Sequence, residues 1–242
     1  MRRISARVLV SLSAALLVLG AAGWAIVGRD RGSLPPRDDI EKRQLLLLTT
    51  LPLVFPEEFS LQGGGSKAFS ALESRYKVQL IGTTDAQSLS QGRILFLAHP
   101  LAQPSEALVD LDRWVQAGGR VLLLADPRLE WPSKRPLGDK LRPPPSFADT
   151  GLLAHWGLRL DAPEQGGPVQ RELDGRSVLA LSPGILSGAC KIGDAGFVAR
   201  CRIGNGRATV VADADFLNVE QLGDAASRNL DALIAELAEL ER

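Results

Sequence analysis

The stretch WVQAGGRVLLLADP, residues 114–127, decides the fold class. It predicts the end of an amphipathic helix, a Gly-Gly corner, an unbroken apolar strand and an aspartate just after that strand. Glycine ends helices readily because it adopts the left-handed conformation without steric cost. A continuous apolar run is typical of a strand that is buried on both faces of a parallel sheet. Ligands of open α/β sheets bind beyond the carboxyl ends of the strands, so Asp126 is either a site residue or simply a turn residue.

The same pattern extends through the first half of the chain. Apolar strands are predicted at LLLL (45–48), KVQLI (77–81) and GRILFLAHP (92–100), with helices near Ser66 and after Pro104. This alternation of strands and helices indicates an α/β fold with a parallel sheet.

The second half has a different pattern. Residues 127–148 contain six prolines and show no helical or strand period, which predicts an irregular insertion of the kind that is usually functional or disordered. Short strands separated by glycine corners follow, and they predict an antiparallel or mixed β region. A final helix over 224–240 carries one apolar face and is expected to pack back onto the sheet.

The N-terminus predicts membrane attachment. Residues 8–27 are uncharged and follow three arginines; twenty helical residues span roughly 30 Å, the thickness of a bilayer core. We expect a membrane anchor over residues 1–28 with a cytoplasmic N-terminus, a polar linker over 29–44 and a periplasmic domain over 45–242, in a bacterial inner membrane. A cleaved signal peptide is the alternative. The chain has 28 basic and 28 acidic residues without a basic stripe, so nucleic-acid binding is not expected.

Two cysteines, Cys190 and Cys201, flank a predicted hairpin centred on Ala195 and Gly196. An even-length loop would place them opposite each other on antiparallel strands, and an oxidising compartment would allow a disulfide. The alternative is a reactive thiol at Cys190, because GACKIG resembles, imperfectly, the glycine-flanked nucleophile turn of hydrolases.

Four polar side chains follow predicted strands and define a candidate ligand-binding rim. His99 and Asp126 follow two of the parallel strands, and Asp213 and Asp215 follow the strand ATVVA. Clustered carboxylates bind divalent cations or serve as general acids and bases, but an aspartate after a strand often caps the next turn instead. We expect turn caps within reach of a ligand and no catalytic residue. Two histidines without a metal-ligand motif predict neither a metal nor a cofactor.

Two motifs taken together resemble a known family. LDRWVQAGGRVLLLADP (111–127) and GNGRATVVADADFLN (204–218), with a closing helix over 228–240, are similar to the GldG-like auxiliary domain family of ABC-type transport systems. The resemblance covers residues 45–242. It implies a flavodoxin-like or class I glutamine amidotransferase-like domain with a mostly parallel sheet and a C-terminal antiparallel β extension, behind one transmembrane helix.

The resemblance also implies a function. The implied function is that of a non-catalytic accessory subunit, for binding or scaffolding, that works beside an ABC permease and its ATPase. Two alternatives stay open at this point: a divergent hydrolase of the amidotransferase-like fold, and a structural envelope protein that uses residues 127–148 as its contact surface.

Overall fold

The computed structural model describes residues 32–55, 57 and 65–242. The predicted anchor over residues 8–27 lies outside this range. Among the described residues, no helix is both long enough and apolar enough to cross a membrane. The predicted linker makes contacts at Arg37, whose amide donates to the Ser74 carbonyl at 2.9 Å and whose guanidinium binds Glu241.

The described chain contains six helices, and their bounds are Lys67–Glu73 (α1), Ala86–Leu89 (α2), Ser105–Gln116 (α3), Leu152–His155 (α4), Val219–Leu222 (α5) and Asn229–Leu240 (α6). It contains eleven strands, which are Arg43–Thr49 (β1), Tyr76–Leu80 (β2), Ile94–Ala98 (β3), Arg120–Leu124 (β4), Leu158–Asp161 (β5), Pro168–Leu173 (β6), Arg176–Leu181 (β7), Ile185–Gly188 (β8), Lys191–Gly193 (β9), Val198–Ile203 (β10) and Gly206–Val211 (β11).

Seven of these strands form one mixed sheet with the order β2-β1-β3-β4-β11-β10-β9. Strands β2, β1, β3, β4 and β11 are parallel to their neighbours, whereas β10 runs antiparallel to both β11 and β9. The predicted α/β fold with a mostly parallel sheet is confirmed. The C-terminal β extension differs in one respect from the expectation: β11 is not part of an antiparallel extension but joins the parallel sheet beside β4. The pairs β5-β8 and β6-β7 form two small antiparallel sheets.

Alternating side chains of the central strands enter two separate cores, which explains their unbroken apolar sequence. Leu45 and Leu47 of β1 belong to the core that contains α1 and α6. Leu46 and Leu48 of the same strand belong to the core that contains α3. The sheet is therefore covered on both faces by apolar side chains.

The Gly-Gly corner before β4 performs two different steric tasks. Gly118 has a φ of +116°, a conformation that residues with a side chain rarely adopt. Gly119 has no room for a side chain, because a Cβ there would lie 2.2 Å from the Trp114 ring. The corner therefore lets the chain turn from α3 into β4 while Gly119 packs against the Trp114 ring of α3.

Candidate functional site

The predicted cysteine pair is a disulfide in the structure. Strands β9 and β10 pair antiparallel with Ala199 opposite Ile192, and the same register places Cys190 opposite Cys201. A short 3-10 turn, Asp194–Gly196, joins the strands. The predicted hairpin and its disulfide are confirmed, so the Cys190 thiol is not available as a nucleophile while the bond is intact.

The predicted rim brings three carboxylates together. Strands β4 and β11 are parallel neighbours with Leu124 opposite Val211, so the residues that follow them share one end of the sheet. One ligand oxygen from each of Asp126, Asp213 and Asp215 lies within 4.8 Å of the others. We call these three residues the carboxylate cluster.

Each carboxylate of the cluster accepts backbone N–H groups. Asp126 accepts from Arg128 and Ala214, both at 2.8 Å. Asp213 accepts from Phe216 at 2.8 Å and from Leu181 at 3.0 Å. Asp215 accepts from Glu130 at 2.7 Å. These bonds join three segments of chain, those that follow β4 and β11 and the end of β7, as aspartates after strands commonly do.

The proline-rich segment, residues 127–148, lies over the cluster. It contains no helix or strand, as predicted, and it is fixed by backbone bonds such as Phe147 N–H to the Asp126 carbonyl at 2.6 Å. Asp126, Asp213 and Asp215 are at most 2 % exposed. The rim is therefore covered by the chain's own insertion, and a ligand of the cluster needs that segment to move or must be as small as an ion.

Burial raises the pKa of all three carboxyl groups, and neighbouring carboxylates raise it further. Desolvation is the main cause in each case, and it raises the pKa of Asp126 to about 6 and that of Asp215 to about 7. The pKa of Asp213 lies well above its ordinary value because of its burial and the neighbouring Asp126 and Asp215. The cluster therefore holds protons in the range where most carboxylates are ionised.

His99 lies at the end of β3, as predicted, and it is also fully buried. Its φ of 49° is unusual for a residue with a side chain. Nε2 donates to the Pro144 carbonyl at 2.9 Å, whereas Nδ1 is buried without a hydrogen-bond partner. Desolvation lowers the pKa of His99, and the bond from Nε2 fastens the proline-rich segment.

Two residues of this region are not identifiable from the sequence. Glu130 supplies an amide to Asp215, and its carboxylate accepts from the buried Ser182 hydroxyl. Ser182 has a φ of 55° and also accepts from the Gly167 amide at 2.8 Å. Glu130 lies in the irregular proline-rich segment, four residues after Asp126, and Ser182 directly follows β7.

An exposed apolar groove lies beside the proline-rich segment. A cavity of about 320 Å³ is lined by Phe55, Leu80 and Leu141, whose exposed fractions are 76 %, 47 % and 68 %. Ser133 donates to Glu57 at 2.5 Å, which fastens the segment to the loop after β1. Exposed apolar side chains that share one groove often mark an interaction surface. We call this surface the apolar groove.

The cluster can act chemically in three ways. Its residues cap turns, they store protons near neutral pH, and Asp126, Asp213 and Asp215 are the described residues that would hold a cation through oxygen ligands. The capping is seen directly in the hydrogen bonds. The ligand-binding rim formed by Asp126, His99, Asp213 and Asp215 stays a prediction.

No protein-family model matches the sequence, and no curated protein matches it either. Solved structures match its fold. An exo-β-1,4-mannosidase from an Opitutaceae bacterium is 15 % identical with a TM-score of 0.51, over 82 % of this chain and 36 % of that enzyme. A β-galactosidase from Bacillus circulans is 14 % identical with a TM-score of 0.49, over 83 % of this chain and 31 % of that chain. A cytoplasmic protein of Salmonella typhimurium is 8 % identical with a TM-score of 0.51, over 82 % of this chain and 98 % of that chain.

These likenesses correct one expectation. The prediction that the protein is not an enzyme was wrong, because an exo-β-1,4-mannosidase is among the structures that match this fold. The described chain corresponds to about a third of the mannosidase, and at this identity the likeness concerns the fold alone. No residue of an active site is therefore transferred to this chain.

Proposed function

We propose that the chain is an extracytoplasmic, membrane-tethered accessory subunit of an ABC-type transport system, built on a flavodoxin-like or amidotransferase-like domain. The observation that carries the proposal is the Cys190–Cys201 disulfide. Disulfides persist in oxidising compartments such as the bacterial periplasm and are rare in the cytosol. The apolar run over residues 8–27 supplies the tether in this proposal, and the resemblance of residues 45–242 supplies the transport class.

The apolar groove is the surface that we assign to the transport partner. Phe55 and Leu141 are large, apolar and mostly exposed, and large apolar side chains of this kind are typical anchors of protein interfaces. Glu57 holds the proline-rich segment in place through Ser133 and the Lys134 amide. The groove is thus a preformed surface, which lowers the entropic cost of binding.

Crosslinking in intact membranes tests this proposal. A photo-reactive amino acid is placed at Leu141 in the groove and, as a matched control, at Val109, which is 47 % exposed on α3. We expect the Leu141 position to capture a permease subunit and the Val109 position to capture much less. Capture of the same proteins at both positions, or of no transport component, would contradict the proposal. Free-thiol titration before and after reduction tests the compartment separately, with no thiol expected before reduction.

A hydrolase is the second candidate, and the raised pKa of two neighbouring carboxyl groups favours it. A general acid at neutral pH needs a pKa near 7, and burial raises the pKa of Asp215 to about 7. A substrate reaches the cluster only if residues 127–148 move aside. Hydrolysis of aryl glycosides by the purified protein, lost in Asp215→Asn but retained in an Asp224→Asn control, would establish this candidate. Absence of hydrolysis across a range of glycosides and esters would leave the accessory role.

A further inference from the structure

A second polar site lies at the opposite end of the sheet from the carboxylate cluster. A cavity of about 590 Å³ opens where β1, β3 and β4 begin, and it is lined by Arg43, Arg93 and Arg120. We call it the arginine pocket. Its volume falls in the range of small-molecule sites, roughly 300–1,000 Å³. Amide and hydroxyl groups complete the polar lining, and these belong to Gln44, Ser90 and Gln91.

The sheet register brings a further arginine close to this pocket. Arg120 and Arg207 are directly opposite each other at the start of the parallel strands β4 and β11. Their side chains therefore emerge on the same face of the sheet. Arg93 immediately precedes β3, whose first residue is opposite Arg120. Arg207 lines a separate cavity, but its charge and that of Arg93 both act on Arg120, although the whole chain has no net charge.

These arginines are not neutralised by nearby acids. In the described part of the chain no salt bridge joins Arg93, Arg120 or Arg207 to a carboxylate, and Nη1 of Arg120 is buried without a hydrogen-bond partner. Burial, followed by the charges of Arg207 and Arg93, lowers the pKa of the Arg120 guanidinium. A buried donor that lacks a partner is costly, and the like charges around Arg120 add to this cost.

The carboxylate that lines the pocket, Glu241, already has hydrogen-bond and ion-pair partners. Glu241 accepts from Arg37 at 2.9 and 3.0 Å and from the Tyr76 hydroxyl at 2.7 Å, and Arg43 lies 3.3 Å from it. The positive charges around the pocket therefore outnumber the single negative charge of Glu241. An anion with several acceptor oxygens would satisfy the remaining donors, since the planar guanidinium fork matches phosphate in geometry.

We propose that the arginine pocket binds a phosphate group, with Arg120 as its central ligand and Arg93 and Arg207 on either side. The site is distinct from the accessory function and does not depend on it. The phosphate belongs either to a soluble phosphorylated molecule or to a phospholipid headgroup, because the predicted membrane segment precedes β1 in the chain. The chemistry recognised is the same in both cases, and the experiment separates the two sources.

The test measures thermal unfolding of the full chain in neutral detergent against inorganic phosphate, with chloride at equal ionic strength as the reference. The variants are Arg120→Gln, Arg207→Gln and the control Arg113→Gln, whose side chain is 76 % exposed on α3. We expect phosphate to stabilise the wild type and the control. We expect apparent affinity to fall about tenfold or more in Arg120→Gln, because a charge-assisted hydrogen bond to the anion is lost.

Folding defects are separable from loss of binding in this design. Removal of an unsatisfied charge should leave Arg120→Gln at least as stable as the wild type when no phosphate is present. A variant that unfolds early even without phosphate would indicate a structural role for Arg120 and would overturn the proposal. The proposal would also fail if phosphate stabilised no more than chloride, or if Arg120→Gln and Arg207→Gln kept the full response.

Lipid vesicles distinguish the two sources of phosphate. The full chain is reconstituted in phosphatidylcholine alone or with phosphatidylglycerol, and the response to added phosphate is measured again. If the ligand is a lipid headgroup, phosphatidylglycerol should stabilise the wild type but not Arg120→Gln. It should also abolish the response of the wild type to added phosphate. A soluble ligand predicts the same phosphate response in both lipids. Absence of any Arg120-dependent response in detergent and in both lipids overturns the proposal.

Discussion

Replacement of Asp215 by asparagine tests the electrostatics of the carboxylate cluster. Burial, followed by the neighbouring Asp126 and Glu130, raises the pKa of Asp215 from 3.8 to about 7. An acid whose pKa is raised by folding stabilises the folded state fully below its unfolded pKa. That contribution is lost as the pH rises through the folded pKa. The wild type should therefore lose stability between about pH 4 and about pH 7, the reverse of ordinary acid denaturation.

The size of the effect follows from the two pKa values. Each pKa unit corresponds to about 1.36 kcal/mol, so ionising Asp215 in the folded protein costs roughly 4 kcal/mol relative to the unfolded chain. Asparagine keeps a carbonyl oxygen that accepts from the Glu130 amide, which Asp215 binds at 2.7 Å. It never ionises. The variant should match the wild type near pH 4 and exceed its stability by up to about 4 kcal/mol near pH 8.

Urea unfolding followed by tryptophan fluorescence measures this difference across the pH range. The difference in free energy of unfolding between variant and wild type is the useful quantity, because the titration of His99 contributes equally to the stability of both. Its lowered pKa destabilises the folded state as the pH falls. Asp224→Asn, at an exposed aspartate, is the matched control and should show no such trend. A difference for Asp215→Asn that does not grow with pH would refute the reasoning. Stabilisation of the wild type, but not of the variant, by Mg²⁺ or Ca²⁺ near pH 8 would instead show that a cation neutralises the cluster.

Substitutions at three further places test the fold. Cys190→Ala with Cys201→Ala should cost about 3 kcal/mol in urea unfolding, the entropy of closing a loop of this length, whereas reduction of that double variant should change nothing more. Gly119→Ala should cost about 1–3 kcal/mol by the same assay, because its Cβ would meet the Trp114 ring; an unchanged stability would show that the corner relaxes freely. Asn229→Ala should cost about 2–3 kcal/mol, because the buried amide binds the backbone of β7 at both its N–H and carbonyl groups. Asn229→Asp should lose at least as much in thermal unfolding, because its carboxylate would face the carbonyl oxygens of Leu179 and Phe216 instead of donating to them.

The sheet could be predicted from the sequence because its strands are buried on both faces. Unbroken apolar runs such as Leu45–Leu48 have no other stable environment in an α/β fold, and the glycine corner marks the turn into β4. The two cysteines could also be paired, since their spacing fits a hairpin. These features depend on local sequence, or on a single pairing whose register the turn length fixes.

The local sequence pattern did not fix the position of β11, although the predicted rim required this strand to end beside β4. Its sequence, GRATVV, is short and follows two antiparallel strands, so its local pattern matches a β extension. The structure places it beside β4, because its buried side chains complete both cores of the parallel sheet. Tertiary burial, and not local propensity, decides such cases.

The segment that covers the rim could not be predicted from the sequence either. Residues 127–148 carry no period, and their path depends on single hydrogen bonds to residues far away in sequence, such as Glu130 N–H to Asp215. Sequence patterns place the aspartates at strand ends correctly but say nothing about what lies above them. Burial then changes their chemistry, because the same carboxyl groups on an open rim would be ionised at neutral pH.

One strand connects the two polar ends of the molecule. Strand β4 is buried along its length and runs from Arg120, in the arginine pocket, to Leu124, two residues before Asp126 in the carboxylate cluster. Apolar layers cover both faces of the sheet, apart from Arg200 of β10, which pairs with the buried Glu236 of α6, so the other groups discussed here lie where strands begin or end. Unpaired cations therefore collect at one end and protonated carboxyl groups at the other. The arginine end has an open cavity and lacks its counter-charge, whereas the aspartate end is covered and satisfied by backbone N–H groups, so the arginine end is the better place to look for a ligand.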